Sequence, residues 1–303
     1  MDTSDHLTAR WCGILTLTVL LGTFTGCALT AKQKVAVRQF GGSAATLGDV
    51  TSSELRAMRD DTVKMTIERL LLGGESKDPN LGDQTSLDRG FEVKRIETVS
   101  GATRALAAYG KSLEALVDDM QSAELITASN EFVASLGRVP TMKEQLSDKQ
   151  LESIGTVIQD VGGFWIEWKR KQAITTIVKE SQNAVEHLCD LLIRDFDPDK
   201  GWVAKQLQIV EDPLMAEATN ALKDGRTYND RKIALEAFQF AHGSRMRRTE
   251  VLKRVIDSAT AMKKANGTLV QAVTNSAWSF QDIQDFAQKS YSLQTAVKII
   301  VIE

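Results

Sequence analysis

The chain reads as an all-α protein, an elongated bundle of about five to six long amphipathic helices, and three observations predict this. Only 4 of its 303 residues are proline, near 1% against the usual ~5%, as suits a chain with few helix interruptions. Aromatic residues make up just 6%, and strong helix formers are frequent while alternating β-patterns are nearly absent. Apolar residues also recur at three- and four-residue steps from residue 32 onward, the period of a helix with one buried face.

The elements follow in order. The first helix holds Leu47, Val50, Leu55, Met58, Met65 and Leu72, with Thr51-Ser52-Ser53-Glu54 as an expected N-cap signal and Gly73-Gly74 as its end. Residues 73–90 carry Gly, Asp, Ser and Pro and read as one long loop. A second helix is expected over about 91–120, with Phe91, Ile96, Val99, Leu106, Tyr109, Leu113 and Leu116 on its apolar face. A shorter piece at 124–137 stops before Pro140.

The third helix is the longest expected, about 147–195, with a bend at Gly162-Gly163. A fourth covers about 201–223 and is interrupted by Pro213. The fifth, 228–266, carries Ala234, Phe238, Ala241, Leu252, Val255 and Met262 on one side, and the sixth occupies 278–298. The β-branched tail at 297–302 reads as a final turn packed into the core, or as an apolar end that docks on a partner.

Hydrophobic residues at 43% and charged residues at 25% are ordinary for a globular chain, and the net charge is −3. No basic domain stands out, so a nucleic-acid partner is not expected. Of three cysteines, Cys12 and Cys27 lie in the N-terminal apolar stretch and Cys189 stands alone in the body, which rules out an intramolecular disulfide framework there.

Residues 11–31, WCGILTLTVLLGTFTGCALTA, carry no charge; Arg10 precedes them, and Lys32, Lys34 and Arg38 follow. Three readings compete. One is an uncleaved single-pass anchor, since 21 residues reach the ~20 needed to span a bilayer. Another is a signal peptide cut after Gly26-Cys27-Ala28. The third rests on Phe24-Thr25-Gly26-Cys27, which resembles the lipobox of bacterial lipoproteins, with Phe24 where leucine is usual. That resemblance implies cleavage before Cys27 and acylation of its thiol and new N-terminus. It divides the chain into a signal peptide at 1–26, a lipid-attachment site and tether at 27–45, and a helical bundle domain at 46–303. Ala28, in place of aspartate after the cysteine, resembles lipoproteins sorted to the outer membrane. The excess of cations after the segment points the other way, toward a body held in the cytoplasm. The lipoprotein reading is preferred.

Little else carries chemistry. Asp195-Phe196-Asp197-Pro198-Asp199-Lys200-Gly201 opens like a calcium loop, yet Lys200 holds position 6 and Gln206 position 12, where glycine and glutamate are needed. A helix–helix turn, with Asp199 capping the next helix, is the expected reading. His187, His242 and Cys189 are too few and too scattered for zinc, and Cys189 reads as a small buried apolar residue. No catalytic or cofactor motif is present.

Arg245, Arg247, Arg248, Lys253 and Arg254, echoed by Lys263 and Lys264, make a basic patch that reads as a solvated helix face or as a contact to anionic lipid. Trp165 and Trp168 share a helix face and read as core, or as the lining of an apolar pocket. The expected function is therefore a membrane-anchored, non-enzymatic scaffold on the periplasmic side of the cell envelope, with a protein partner there. The alternative is a ligand-binding or sensory module with its pocket at Trp165 and Trp168.

Overall fold

A computed structural model describes residues 28–73, 91–118, 122–140, 167–274 and 276–302. All regular structure among them is helical. Eight helices run in chain order: α1 (Ala31–Gly73), α2 (Val93–Val117), α3 (Ser122–Leu136), α4 (Glu167–Glu180), α5 (Gln182–Asp195), α6 (Trp202–Asp224), α7 (Tyr228–Val273) and α8 (Gln281–Ile302). The all-α expectation is met, but with eight helices of unequal length instead of five or six long ones. α1 and α7, at 43 and 46 residues, extend about 65 and 69 Å at the helical rise. They form the long axis.

The main core gathers around the first two thirds of α1, the second half of α7, α2, α3, α4, α5 and α8, and the first turns of α6, where Val203, Ala204 and Leu207 are buried. Its centre is aromatic. Phe40 of α1 meets Tyr109 of α2 edge-on at 6.1 Å and Phe286 of α8 at 5.3 Å, and Tyr109 meets Phe132 of α3 at 5.4 Å. α2 runs through the middle of this bundle, with Val99, Ala102, Leu106, Tyr109, Leu113 and Leu116 all fully enclosed. It lies so close to α1 that side chains would not fit between them. A Cβ on Gly41 would stand 2.8 Å from the Gly110 carbonyl oxygen, and Cβ atoms on Gly48 or Gly110 would press into backbone as well. Glycine serves here by omission of a side chain, and its backbone is ordinary helix.

A smaller core closes the other end. Met65 of α1, Val210, Leu214 and Ala218 of α6, and Ala237 and Ala241 of α7 form it, with Leu72, Met215, Phe238 and Phe240 partly buried around them. These three helix segments make an arm continuous with the bundle, because α1 and α7 run through both.

Several expectations are corrected. The stretch at 27–45, read as a tether, belongs to the fold from its third residue: Leu29, Ala36, Val37, Phe40 and Ala44 are buried, because the small residues that looked like a linker let α1 approach its neighbours. The helix expected over 147–195 is broken at Ser181. The Ser181 hydroxyl donates back to the Ile177 carbonyl at 2.6 Å, a bond that competes with regular helix geometry, and the Gln182 carbonyl accepts from Asn266. Pro213 does not interrupt α6. It leaves the Ile209 carbonyl without its helical donor, but Ile209 is on the exposed side, where water can serve. α7 runs seven residues beyond the expected 266, starting from a capping box in which Thr227 and Asp230 each accept from the other's backbone N–H. The loop at 74–90 and the bend at Gly162-Gly163 lie outside the described residues. The 297–302 tail is helical through Ile302, and Val297 packs against the main core.

Candidate functional site

Two places bring together the residues that the sequence singled out. The first is the end of the bundle where α1 begins. Thr30 caps α1: Gln33 N–H donates to the Thr30 hydroxyl at 3.2 Å, and Thr30 N–H donates to Gln33 Oε1 at 2.8 Å. Gln33 Nε2 also donates to the Ala272 carbonyl at 2.5 Å, which ties the first turn of α1 to the last of α7. Lys34 bonds Glu167 at 2.8 Å and so holds the start of α4 alongside. Lys32 lies over the Trp278 ring at 4.8 Å.

Trp168 is in the first turn of α4, beside Glu167, and is 51% exposed. It belongs to neither of the two cores. Cys27 and Trp165 lie outside those residues, and the chain becomes describable at Ala28, one residue after Cys27. Two open grooves of about 460 and 340 Å³ do exist, but they run between α7 and α8, lined by residues such as Arg254 and Tyr291 in one and Lys264 and Asp285 in the other.

The second place is a charged layer between the two cores, which the sequence reading missed. Glu211 of α6 is fully buried. Its Oε2 takes Arg248 Nη2 at 2.9 Å and Arg245 Nε at 3.2 Å, while Oε1 has no hydrogen-bond partner. Burial outweighs both arginines and pushes the Glu211 carboxyl above its usual range. Arg248 donates further to the Ala204 carbonyl at 3.0 Å, and Arg245 also pairs with Asp212. On the α1 side, Arg247 bonds both oxygens of buried Glu54, at 3.0 and 3.2 Å. Asp61 accepts from Ser244 at 3.2 Å, and burial raises its carboxyl pKa.

Arg245, Arg247 and Arg248 of the expected basic patch are therefore paired with buried carboxylates, while its remaining cations lie at the surface. Arg254 pairs with Glu250, Lys263 with Asp190 and Lys264 with Asp282. Glu211 was legible in principle, since Leu207, Glu211, Leu214 and Ala218 fall on one helical stripe. Arg248 similarly continues the line of Ala241 and Ser244.

The remaining candidates resolve simply. Asp197 Oδ1 accepts from the Asp199 and Lys200 backbone N–H groups at 2.9 and 2.8 Å, which makes the 195–201 stretch a turn. Gly201, not Asp199, is the N-cap of α6, and a Cβ there would collide with the Asp195 and Asp197 carbonyls. Asp195 itself is buried and bonded to Arg95 at 2.6 Å and Arg194 at 3.0 Å. Cys189 is free and buried, and burial drives its thiol pKa far up, so it is a packing residue and a poor nucleophile. His242 is exposed and stacked on Phe238. Among the described residues, no group of three or more His, Cys, Asp or Glu is placed to hold a metal, and no helix is long and apolar enough to cross a membrane.

No protein-family model matches the chain, nor does any curated protein or solved structure.

Proposed function

We propose that the chain is a bacterial envelope lipoprotein, fixed by acylated Cys27 to the periplasmic side of a membrane, the outer one by the Ala28 signal. It acts there as a non-enzymatic scaffold for a protein partner. One observation carries the reading: the charge-free segment 11–31 holds Gly26-Cys27, three residues ahead of Thr30, the cap of a helix whose first turn is pinned to α7. An anchor at Cys27 would thus hold a body tens of ångströms long with almost no slack, which suits a spacer or a docking post. The far end supports the scaffold role, since Leu71, Tyr228 and Leu235 of the arm are 73%, 84% and 44% exposed.

The experiment is labelling with radioactive palmitate in a bacterial host, wild type against Cys27→Ala, followed by membrane fractionation. Label and membrane recovery are expected for the wild type, and both are lost in the variant. A wild-type protein that takes up no label overturns the reading.

A further inference from the structure

We infer that the α1 end of the bundle is itself a membrane-contact surface, seated against anionic lipid by Trp168, Val35 and Trp278 with Lys32 and Lys169 around them. The inference rests on the anchored reading above, in either its acylated or its single-pass form. The first argument is distance. Cys27 precedes Thr30 by three residues, which reach at most about 11 Å when fully extended. Thr30 and Gln33 close a capping box, and Gln33 is bonded into the end of α7. Whatever holds Cys27 at a bilayer, acyl chains or a spanning segment, must therefore bring the first turn of α1 to the headgroups. There is no length of chain with which to stand off.

The second argument is what is displayed there. Val35 is 47% exposed and Trp168 51% exposed, and the Lys34–Glu167 ion pair makes their helices neighbours. Trp278, partly buried after α7, carries Lys32 on its ring. A half-exposed tryptophan, Trp168, and a partly buried one, Trp278, flanked by lysines match the headgroup region, where an indole finds both an apolar and a polar side and an ammonium finds lipid phosphate. The carboxylates near this end are paired: Glu167 with Lys34 and with Arg170 at 3.3 Å, Asp118 with Arg38, and Asp282 with Lys264, so their charges are offset. The contrast with the opposite end is sharp. Tyr228 begins α7, about 69 Å from Val273 along the helix, far beyond the reach of a bilayer that holds the other end.

The test places an environment-sensitive NBD dye on Trp168→Cys and, separately, on Tyr228→Cys in the full chain; unsubstituted protein serves as the labelling blank. Both positions are exposed enough that the fold should tolerate the change. Each protein is mixed with phosphatidylethanolamine–phosphatidylglycerol vesicles, and binding is scored by flotation. Emission from position 168 should shift to the blue and be quenched by lipid carrying a headgroup-level nitroxide, while position 228 stays in water. Charge reversal at Lys32→Glu and Lys169→Glu should weaken the shift at 168 without releasing the protein from the vesicles. A protein that floats with the vesicles but shows the same wet emission at both positions overturns the contact surface and spares the anchor. A protein that fails to float overturns both.

Discussion

The two ends of the molecule are built from the same two long helices and yet are stabilised differently. In the main bundle, α1 and α7 are wrapped by α2, α3, α4, α5, α8 and the first turns of α6, and the centre holds Phe40, Tyr109, Phe132 and Phe286 with glycine-tight contact between α1 and α2. In the arm, among the described residues, they meet α6 alone. The fully enclosed apolar side chains there are Met65, Leu214 and the alanines 218 and 241, with Val210 and Ala237 nearly so. Between them lies the layer of Glu54, Asp61, Glu211, Arg245, Arg247 and Arg248. The lesson is that a continuous helix does not guarantee uniform stability. Local free energy of opening follows buried apolar contact, and the arm has less of it.

The largest effect should come at the junction. Glu211→Ala leaves Arg248 buried without its main counter-charge and should cost about 3–5 kcal/mol in urea unfolding. Replacing the pair together, by Glu211→Leu with Arg248→Met, should recover most of that loss, because the layer then becomes continuous core.

Next comes the contrast between cores. Leu106→Ala in α2 should fall near the upper end of the ~2–5 kcal/mol range for such truncations, and Leu214→Ala in the arm near the lower end. Hydrogen exchange of the wild type should show the matching order, with amides at 210–241 exchanging before those at 102–116. Equal protection in both regions would break the comparison.

Thr227→Ala removes the cap from the exposed arm end of α7 and should cost about 1 kcal/mol. Its effect on exchange should be confined to the arm.

The smallest expected change concerns pH. Burial holds the Asp61 carboxyl above its unfolded value, so the native chain keeps its proton to higher pH than the unfolded chain does. This group's contribution to stability therefore falls as pH rises from its unfolded value, about 3.9, through its native one. Asp61→Asn should flatten that slope and gain on the wild type as pH rises toward neutrality, as read by urea midpoints at a series of pH values.

Much of the fold was legible because helical periodicity and scarce proline are local signals. The apolar stripe of α2 from Val99 to Leu116 follows from residues within a few positions of one another. Other features depend on partners far away in sequence. The role of Gly41 and Gly110 exists only where α1 and α2 come together, with no local signal to announce it. Arg247 looked like a solvated cation, and its partner Glu54 is 193 residues away. The break at Ser181 similarly answers to Asn266 from another helix. At the end where α1 begins, the sequence offered Cys27 and Trp168 as separate clues. What it could not express is that Gln33 and Lys34 tie the start of α1 to α7 and α4 and so bring Trp168 beside the segment that follows Cys27.

The central claim is that this end of the molecule is held at a membrane through Cys27. Its most direct test is the intact mass of the full-length gene product recovered from bacterial membranes. The account predicts a chain that starts at Cys27 and carries a diacylglyceryl group and an N-terminal acyl chain. An unmodified polypeptide mass, with or without residues 1–26, would contradict it.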